Sequence, residues 1–401
     1  LYMLFENPEK KMKHFAVIAA VLSATTATAG GFEASRLDTK FMYEKGNYAE
    51  VSHASLDYKV NATTLRLYDH TTPKFYTGLE KSVKVSQSRN GVSFKADYGG
   101  LDFGFSRYKS GTIQLGGSAA GYYNNTAACL AAKTIAACPS GAVPETDVDM
   151  YTLTLMGKAR FTDEVDFLFG LNRNTLEDSS VTTTRGGYTI KGTSSTSPIL
   201  GFAYSKPKIA LRVEVLMQPS SEMKANTGYV RSGYGQLAGV TQSTAPSFDS
   251  TLSRPTTITL NFQSGVAKDT LVYGSIHRAA WGSAQIDVPT GEAASSVASK
   301  FWDTTTYTLG AARKISDSLA LTASFAKETG GASTSSSLFT VNNGYRAISF
   351  GAKYTVGKIA ISGGYNYTKL GDIDIFTGGA TYATYRNNNV SALGLKIGYS
   401  F

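Results

Sequence analysis

The chain has 401 residues, of which 42% are hydrophobic, 17% charged and 11% aromatic, with a formal net charge of +9. A charged fraction below the roughly 25% of soluble domains, combined with many aromatic residues, excludes a disordered chain. No apolar run reaches about 18 residues, which excludes a membrane protein built of helices. The basic residues form no block that would track a phosphate backbone, so we expect no nucleic-acid partner.

The first 29 residues have the features of a targeting segment. A basic start at residues 12–14 precedes an apolar run at 15–22, and small residues lead up to Ala29. This order is typical of a secretory signal peptide cleaved after Ala29. We assign residues 1–29 to an upstream extension plus this signal peptide, with Met12 as the natural start.

From residue 48 onwards, apolar residues recur at every second position, which is the period of a β-strand. At the C-terminus Leu393, Leu395 and Ile397 alternate with smaller or polar residues. Fourteen such segments are predicted, at about 48–60, 91–98, 101–108, 149–161, 164–174, 196–204, 209–217, 255–265, 270–280, 302–313, 318–327, 345–355, 358–368 and 390–401.

The connections between these segments alternate in length. Every second connection is a tight turn of a few residues, and the others are long and rich in Ser, Thr, Gly, Ala and Asn. Up-and-down strands closed into a barrel place all short turns at one rim and all long loops at the other. We therefore predict an all-β fold, a transmembrane antiparallel β-barrel of about 14 strands.

Three aromatic residues fit this prediction. Phe401 resembles the C-terminal aromatic signature of bacterial outer-membrane barrels. Trp281 and Trp302 fall at the loop-side ends of two predicted strands, where an aromatic girdle would face the membrane interface.

If the apolar faces point to lipid, the alternate positions line the lumen. The basic residues of that set are Lys95, Lys158, Arg212, Lys353 and Lys396. One interpretation is a hydrated wall with internal ion pairs, in which Arg212 and its neighbour two residues on offset each other. The other is a path that attracts an anionic head group, for which Arg212, Lys353 and Lys396 are the candidates.

The cysteines and histidines carry little further chemistry. Cys129 and Cys138 lie in an Ala- and Gly-rich stretch, where they form either one disulfide in an oxidising compartment or two free thiols. No nucleophile elbow or zinc motif accompanies His53, His70 or His277. We expect no enzymatic activity, no metal and no cofactor.

Several strings resemble the FadL/TodX family of outer-membrane transporters, in particular its alphaproteobacterial branch. The strings are "GGFEASRLDTKFMYEKGNYAEVS" from Gly30, "GFAYSKPKIALRVEV" from Gly201, "LNFQSGVAKDTLVYGSIHRAAW" from Leu260 and "TTYTLGAARKISDSLALTASF" from Thr305. The resemblance implies a fourteen-stranded barrel, which agrees with the segment count. It also implies that residues 30–47 fold as a short plug inside a barrel of residues 48–401.

The same resemblance implies passive uptake of hydrophobic compounds, with long-chain fatty acids favoured over aromatic hydrocarbons. The solute would enter from the loop side, bind in an apolar pocket and leave through a gap in the barrel wall. We expect a monomer in the bacterial outer membrane. Its expected partners are hydrophobic small molecules, outer-membrane lipid, lipopolysaccharide and, through Phe401, the barrel-assembly machinery.

Two alternatives remain at this point. A general diffusion porin for small polar solutes needs a constriction loop dense in opposite charges, yet the loop at 109–148 carries acids only at Glu145 and Asp147. An adhesin would bind partners through its loops while the barrel transports nothing.

Overall fold

The computed structural model of the chain is a closed barrel of fourteen antiparallel strands, which confirms the fold class predicted from the alternation. The structure describes residues 31–401 except 65–66, 70–73, 77–78, 117–144, 184–185, 232–247, 290–294, 298, 338, 341 and 378–379. The predicted signal peptide and both cysteines lie outside the described residues. Each barrel strand pairs with the next, and the last strand pairs with the first along its whole length.

The barrel strands overlap the fourteen predicted segments. They are β1 (Tyr48–Thr64), β2 (Leu79–Asp97), β3 (Leu101–Gly116), β4 (Glu145–Arg160), β5 (Val165–Leu176), β6 (Thr193–Lys206), β7 (Leu211–Gln218), β8 (Thr257–Ala267), β9 (Thr270–Ala279), β10 (Thr304–Lys314), β11 (Leu319–Glu328), β12 (Tyr345–Val356), β13 (Ile359–Leu370) and β14 (Asn389–Ser400). Within the described chain, no helix combines the length and the hydropathy that crossing a membrane requires.

The outer surface of the barrel is apolar. On β14, Leu393, Leu395 and Ile397 are 64%, 49% and 42% exposed, whereas the alternate residues Ala392 and Lys396 are buried inside. The same pattern of exposed Leu, Ile, Phe and Tyr continues around the barrel. Such a belt is stable only against lipid, because apolar side chains exposed to water lose the free energy of burial.

Six short turns join the barrel strands at one rim. The start of β1 and the end of β14 meet at the same rim, next to Asn47 and Phe401. The Phe401 amide donates a hydrogen bond to the Asn47 carbonyl at 2.9 Å, and the Phe401 ring packs 4.9 Å from that of Tyr399. Gly99 and Gly357 lie in two of the turns with φ of 76° and 57°, a left-handed conformation that favours glycine.

At the opposite rim, the long connections continue as shorter strands that extend the sheet beyond the barrel. These strands include Ser179–Thr183, Gly186–Ile190, Ser221–Arg231, Phe248–Arg254, Ile286–Pro289, Ile373–Thr377 and Ala380–Tyr385. Their inward side chains form two apolar clusters with residues of the neighbouring barrel strands. The loop end of the barrel is therefore lined with apolar groups on its inner side.

The position of Trp281 differs from the expected aromatic girdle. Trp281 is 2% exposed and packs inside the loop end against Phe32 and Phe301. Trp302 is partly buried against an inner apolar cluster. The girdle prediction is wrong for Trp281 because the chain turns inward directly after β9, in the short helical turn Trp281–Ser283.

The lipid-facing belt makes a testable prediction for Leu309, which is 57% exposed on β10. We expect Leu309→Arg to lower the free energy of unfolding in lipid vesicles by about 2–4 kcal/mol, because a charge at this depth is poorly solvated. Ile315→Arg is the matched control, since Ile315 lies in the adjacent short turn and is 55% exposed. Equal losses for both variants in denaturant titrations would contradict the assigned lipid face.

Candidate functional site in the barrel lumen

Residues 31–47, called the N-terminal segment below, run inside the barrel and end where β1 begins. Its single helical turn, Lys40–Tyr43, places Phe41 and Met42 in a fully buried apolar cluster with side chains of β4 to β7. Gly104 on β3 lets the segment approach the wall, because a Cβ atom there would clash with the Met42 side chain. The segment thus fills the lumen in the half nearer the short turns.

Glu214 on β7 holds the N-terminal segment by hydrogen bonds. Thr39 and Tyr43 each donate a hydroxyl to its carboxylate at 2.7 Å, and Asn261 donates its amide at 2.8 Å. Burial, together with the Glu214 charge, raises the pKa of Tyr43, so its hydroxyl stays protonated as a donor. The guanidinium of Arg212 lies 3.8 Å from the centre of the Tyr43 ring. Arg212 and Glu214 therefore bind the same tyrosine instead of pairing with each other.

Lys353 and Lys396, two of the predicted solute contacts, lie on the inner face of the barrel. Lys353 Nζ is 3.8 Å from the Glu44 carboxylate in the N-terminal segment. Lys396 Nζ is 3.0 Å from the carboxylate of Glu50 on β1. Both ammonium groups are thereby neutralised by carboxylates at the base of the barrel.

Lys95 and Lys158 also lie inside the barrel, where they share a carboxylate. Asp102 on β3 is 2.7 Å from Lys158 Nζ and 3.7 Å from Lys95 Nζ. Lys95 donates a further hydrogen bond to the backbone carbonyl of Glu44 at 2.5 Å, and Lys158 lies 4.8 Å from the Tyr43 ring. The four lysines thus form internal ion pairs, as in the hydrated-wall interpretation, and three of them contact the N-terminal segment.

A second charged group anchors the middle of the N-terminal segment. Arg36 Nε donates to the Glu33 carboxylate at 2.7 Å, and its other nitrogen donates to Thr306 at 3.0 Å. His277 on β9 points inward with Nε2 3.4 Å from the same Glu33 oxygen. Burial by itself raises the pKa of Glu33, but the charges of Arg36 and His277 bring that pKa well below its usual value.

The barrel wall opens between β2 and β3. Their pairing ends at Gly91 and Tyr108, and none of the described residues continues it toward the loop end. Beyond this point β2 stays paired with β1, and β3 stays paired with β4. A bulge in the β3–β4 ladder between Lys109 and Gly111 bends β3 at the point of separation.

The N-terminal segment occupies the freed edge of β3. The Ala34 amide donates to the Ser110 carbonyl at 2.8 Å, and the Thr112 amide donates to the Phe32 carbonyl at 2.9 Å. From the β2 side, the Arg89 guanidinium donates to the carbonyl of Ala34. Residues 32–34 therefore supply β3 with the backbone partners that β2 no longer provides.

An apolar cluster surrounds the start of the N-terminal segment at the loop end. The Phe32 ring lies 5.0 Å from that of Trp281 and 6.3 Å from that of Phe301, both edge-on. The other large members are Val148, Met150, Leu176, Tyr188, Ile190, Met223, Leu252 and Ile286. Gly31 permits this packing, because a Cβ atom there would clash with the Trp281 ring.

A cavity of about 160 Å³ lies between the clusters around Phe32 and Phe41. Glu33 and residues 36–40 of the N-terminal segment line one side of it. Arg212 and Arg254 both line this cavity, and their hydrogen-bond partners in the described chain are neutral. Arg212 donates to Gln263, and Arg254 donates to Thr152 and Asn174. The cavity therefore presents two guanidinium groups that no described carboxylate neutralises by a direct contact.

The alternation of positions along the strands predicted that the four lysines and Arg212 face inward, but it did not predict the rest of this site. Glu33 and Arg36 lie in a segment without a periodic pattern, and Arg254 precedes β8 at the end of a loop strand. The ninth predicted segment has apolar residues on both faces, so its sequence does not predict which way His277 points. Among the described residues, no group of three His, Cys, Asp or Glu side chains could hold a metal ion.

The contacts of Glu214 generate a prediction about the N-terminal segment. We expect Glu214→Ala to speed hydrogen–deuterium exchange of the amides in residues 36–46 by about tenfold or more, because the buried donors Thr39 and Tyr43 lose their acceptor. Glu222→Ala, at an exposed position of a loop strand, is the control. Unchanged exchange in Glu214→Ala would show that other contacts hold the segment.

Comparison with known proteins adds a likeness of fold. No protein-family model matches the chain, and no curated protein matches it in sequence. A FadL homologue of Pseudomonas aeruginosa is similar in structure, with a TM-score of 0.70, 11% identity, and 95% of this chain and 99% of that chain covered. The toluene transporter TodX of P. putida gives a TM-score of 0.61, 12% identity, and coverage of 95% and 98%. The toluene transporter TbuX of Ralstonia pickettii gives a TM-score of 0.58 and 11% identity, with 94% of this chain and 97% of that chain covered. The chain therefore has the FadL/TodX-type barrel fold.

Proposed function

We propose that this protein is a passive outer-membrane channel for the uptake of hydrophobic compounds, with long-chain fatty acids as the favoured solutes. The carrying observation is the lumen, in which an apolar cluster around Phe32 lies next to a cavity with two arginines that contact no carboxylate among the described residues. The likeness in fold to a FadL homologue and to toluene transporters supports the transport of hydrophobic molecules.

The two environments suit the two ends of a fatty acid. The apolar cluster at the loop end favours a hydrocarbon tail, because tail and cluster both lose contact with water when they meet. Arg212 and Arg254 then bind the carboxylate, since a guanidinium matches its two oxygens. In this proposal Lys353 and Lys396 do not bind the carboxylate of the solute, because they already form ion pairs with Glu44 and Glu50.

The proposed path runs from the loop end, past Phe32, to the separation of β2 and β3. There the ladder ends at Gly91 and Tyr108, although both strands continue toward the loop end. A solute leaving there moves sideways into the membrane and does not have to pass the cluster around Phe41. Movement follows the concentration gradient, so the proposal requires no cofactor.

The cellular setting of the proposal follows from the sequence. We propose export through the signal peptide of residues 1–29 and insertion of residues 30–401 as a monomer in the bacterial outer membrane. The assembly machinery would recognise the exposed Phe401, and lipid and lipopolysaccharide would contact the apolar belt. The connection with Cys129 and Cys138 would then reach an oxidising environment, which permits their disulfide.

One observation favours the alternative of a general diffusion porin. The central cavity is lined by charged and polar groups, including Asp38, Lys40 and Glu214, as a channel for small polar solutes would be. The proposal of hydrophobic uptake therefore depends on the N-terminal segment closing the lumen to water and ions.

The arginine pair gives the first test. We expect Arg212→Gln combined with Arg254→Gln to slow oleate uptake by about tenfold, because a charge-assisted hydrogen bond to the carboxylate is lost. Toluene uptake should change little, since toluene has no charge. Lys327→Gln combined with Arg346→Gln, two exposed outward residues, is the control. An equal loss for oleate and toluene would contradict the carboxylate role.

Single-channel conductance gives the second test. In a planar bilayer, we expect residues 30–401 to show little or no conductance, because residues 31–47 fill the lumen. Deletion of residues 31–46 should produce a large steady conductance, provided that the mobility shift on heating shows a folded barrel. A large ohmic conductance of the undeleted protein would support the porin and overturn the proposal.

A further inference from the structure

The outward face of β1, β2 and β3 carries a group of polar side chains within the apolar belt. His53 and Ser55 on β1, Ser88 and Asn90 on β2, and Arg107 on β3 are all exposed and face outward. We call these five residues the polar notch. Below them, toward the short turns, Val51, Val92 and Phe103 continue the apolar belt.

The depth of the polar notch in the membrane follows from the number of residues between it and the strand ends at the short-turn rim. His53 lies five residues beyond Tyr48, where β1 begins, and Arg107 lies six beyond Leu101, where β3 begins. At a rise of about 3.3 Å per residue and a tilt of about 40°, six residues reach roughly 15 Å above the rim. That height falls inside an apolar band about 25 Å tall. The polar notch thus interrupts the belt within the membrane.

Other strands carry large apolar residues at the same distance from the rim. Leu395 lies five residues before the end of β14, and Phe325 lies six beyond the start of β11. Tyr365 lies six beyond the start of β13. All three are exposed on the outer face. His53 and Arg107 therefore lie closer to this rim than the outward Arg173 of β5 and Lys327 of β11, which are each eight residues beyond the start of their strand.

The groups in the polar notch are not neutralised within the described chain. His53 Nδ1 lies 2.7 Å from the side-chain oxygen of Asn90. The Arg107 guanidinium lies 4.4 Å from the centre of the Tyr151 ring and makes no ion pair with any described residue. An arginine at this depth is costly against hydrocarbon, by as much as about 2–4 kcal/mol at the midplane. A bound anion would offset that cost.

The polar notch also flanks the separation of the wall. Asn90 directly precedes Gly91, the first residue of β2 that pairs with β3, and Arg107 directly precedes Tyr108, the partner of Gly91. A cavity of about 140 Å³ at this point is lined by Arg36 and Lys396 from the inner side, and by His53, Asn90 and Arg107 from the outer strand positions. Asp38 and Glu50 also line this cavity from the inner side, and the small residues Ser52 and Gly91 line it between the inner and outer groups.

We propose that the polar notch binds the carboxylate head of a single-chain amphiphile as the molecule passes between the lumen and the membrane. Arg107 binds the carboxylate, with His53 and Asn90 beside it as further polar partners. The hydrocarbon tail lies on the apolar belt next to it, against Val92 and Leu395. This inference rests on the proposed uptake function and deepens it, because it selects solutes with an acidic head over plain hydrocarbons.

Photo-crosslinking tests the binding step without any transport. The protein, refolded in phosphatidylcholine vesicles, is irradiated with a long-chain fatty acid that carries a diazirine next to its carboxylate. We expect label on residues 86–94 and 103–109, and a loss of about tenfold in the variant Arg107→Leu with Asn90→Leu. This variant should fold, because leucine at outward positions is what the other strands carry. Arg173→Leu, at an exposed outward position of β5, is the matched control.

Two further probes separate the sources of the head group. A fatty alcohol with the same diazirine should label the polar notch much less than the acid does. The third probe is an alkyl phosphate with the same diazirine. If it labels the polar notch as strongly as the acid does, and the acid does not displace it, the polar notch is a membrane-lipid site and the solute role is overturned. Absence of acid label at the polar notch would overturn the proposal outright.

Uptake measurements complete the test and distinguish the two proposals. We expect the double leucine variant to take up oleate several-fold more slowly than the unmodified protein and toluene at the same rate, with Arg107→Lys restoring part of the oleate rate. If the unmodified protein takes up neither solute, the proposed function fails, and crosslinking alone decides whether the polar notch binds acids. Normal oleate uptake in the leucine variant would contradict a role in passage.

Discussion

A backbone amide or carbonyl that faces lipid has no water to bond, so every strand edge inside the membrane needs a partner. Every barrel strand is hydrogen-bonded to its two neighbours, and β14 pairs with β1 along the whole of β14. At the β2–β3 junction the ladder stops, and residues 32–34 pair with β3 instead. The N-terminal segment is thus part of the hydrogen bonding of the wall as well as a filler of the lumen.

The charges inside the barrel follow from the same scarcity of water. A buried charge without a partner is destabilising, so each carboxylate of the N-terminal segment that lies against the wall has a cation near it. Glu33 has Arg36, and Glu44 has Lys353. The other inward lysines pair with carboxylates of the strands, Lys396 with Glu50, and Lys95 and Lys158 with Asp102. Arg212 and Arg254 differ because their described partners are neutral, which leaves their charge available in the central cavity.

The fourteen strands could be predicted because lipid demands an apolar residue at every outward position, which makes the period visible. The prediction began β2 at residue 91 and ended β3 at residue 108, yet the strands extend to Leu79 and Gly116. Beyond these limits the outward residues are polar, as at Ser88 and Asn90, so alternation of hydrophobicity no longer marks a strand. The contacts of Arg36 could not be predicted for another reason, since its partner Thr306 is distant in sequence and only folding brings them together.

The N-terminal segment connects the loop end with the opening in the wall through only two residues. The Phe32 ring packs on Trp281 in the apolar cluster, while the Phe32 carbonyl accepts the Thr112 amide at the freed edge of β3. Ala34, two residues on, pairs with Ser110 at the bulge and accepts a hydrogen bond from Arg89. A molecule that moves the Phe32 backbone would therefore strain or break the backbone bonds at the β2–β3 separation. Glu214 holds Thr39 and Tyr43 further along, so the segment is attached to the wall at two places, the edge of β3 and the inner face of β7.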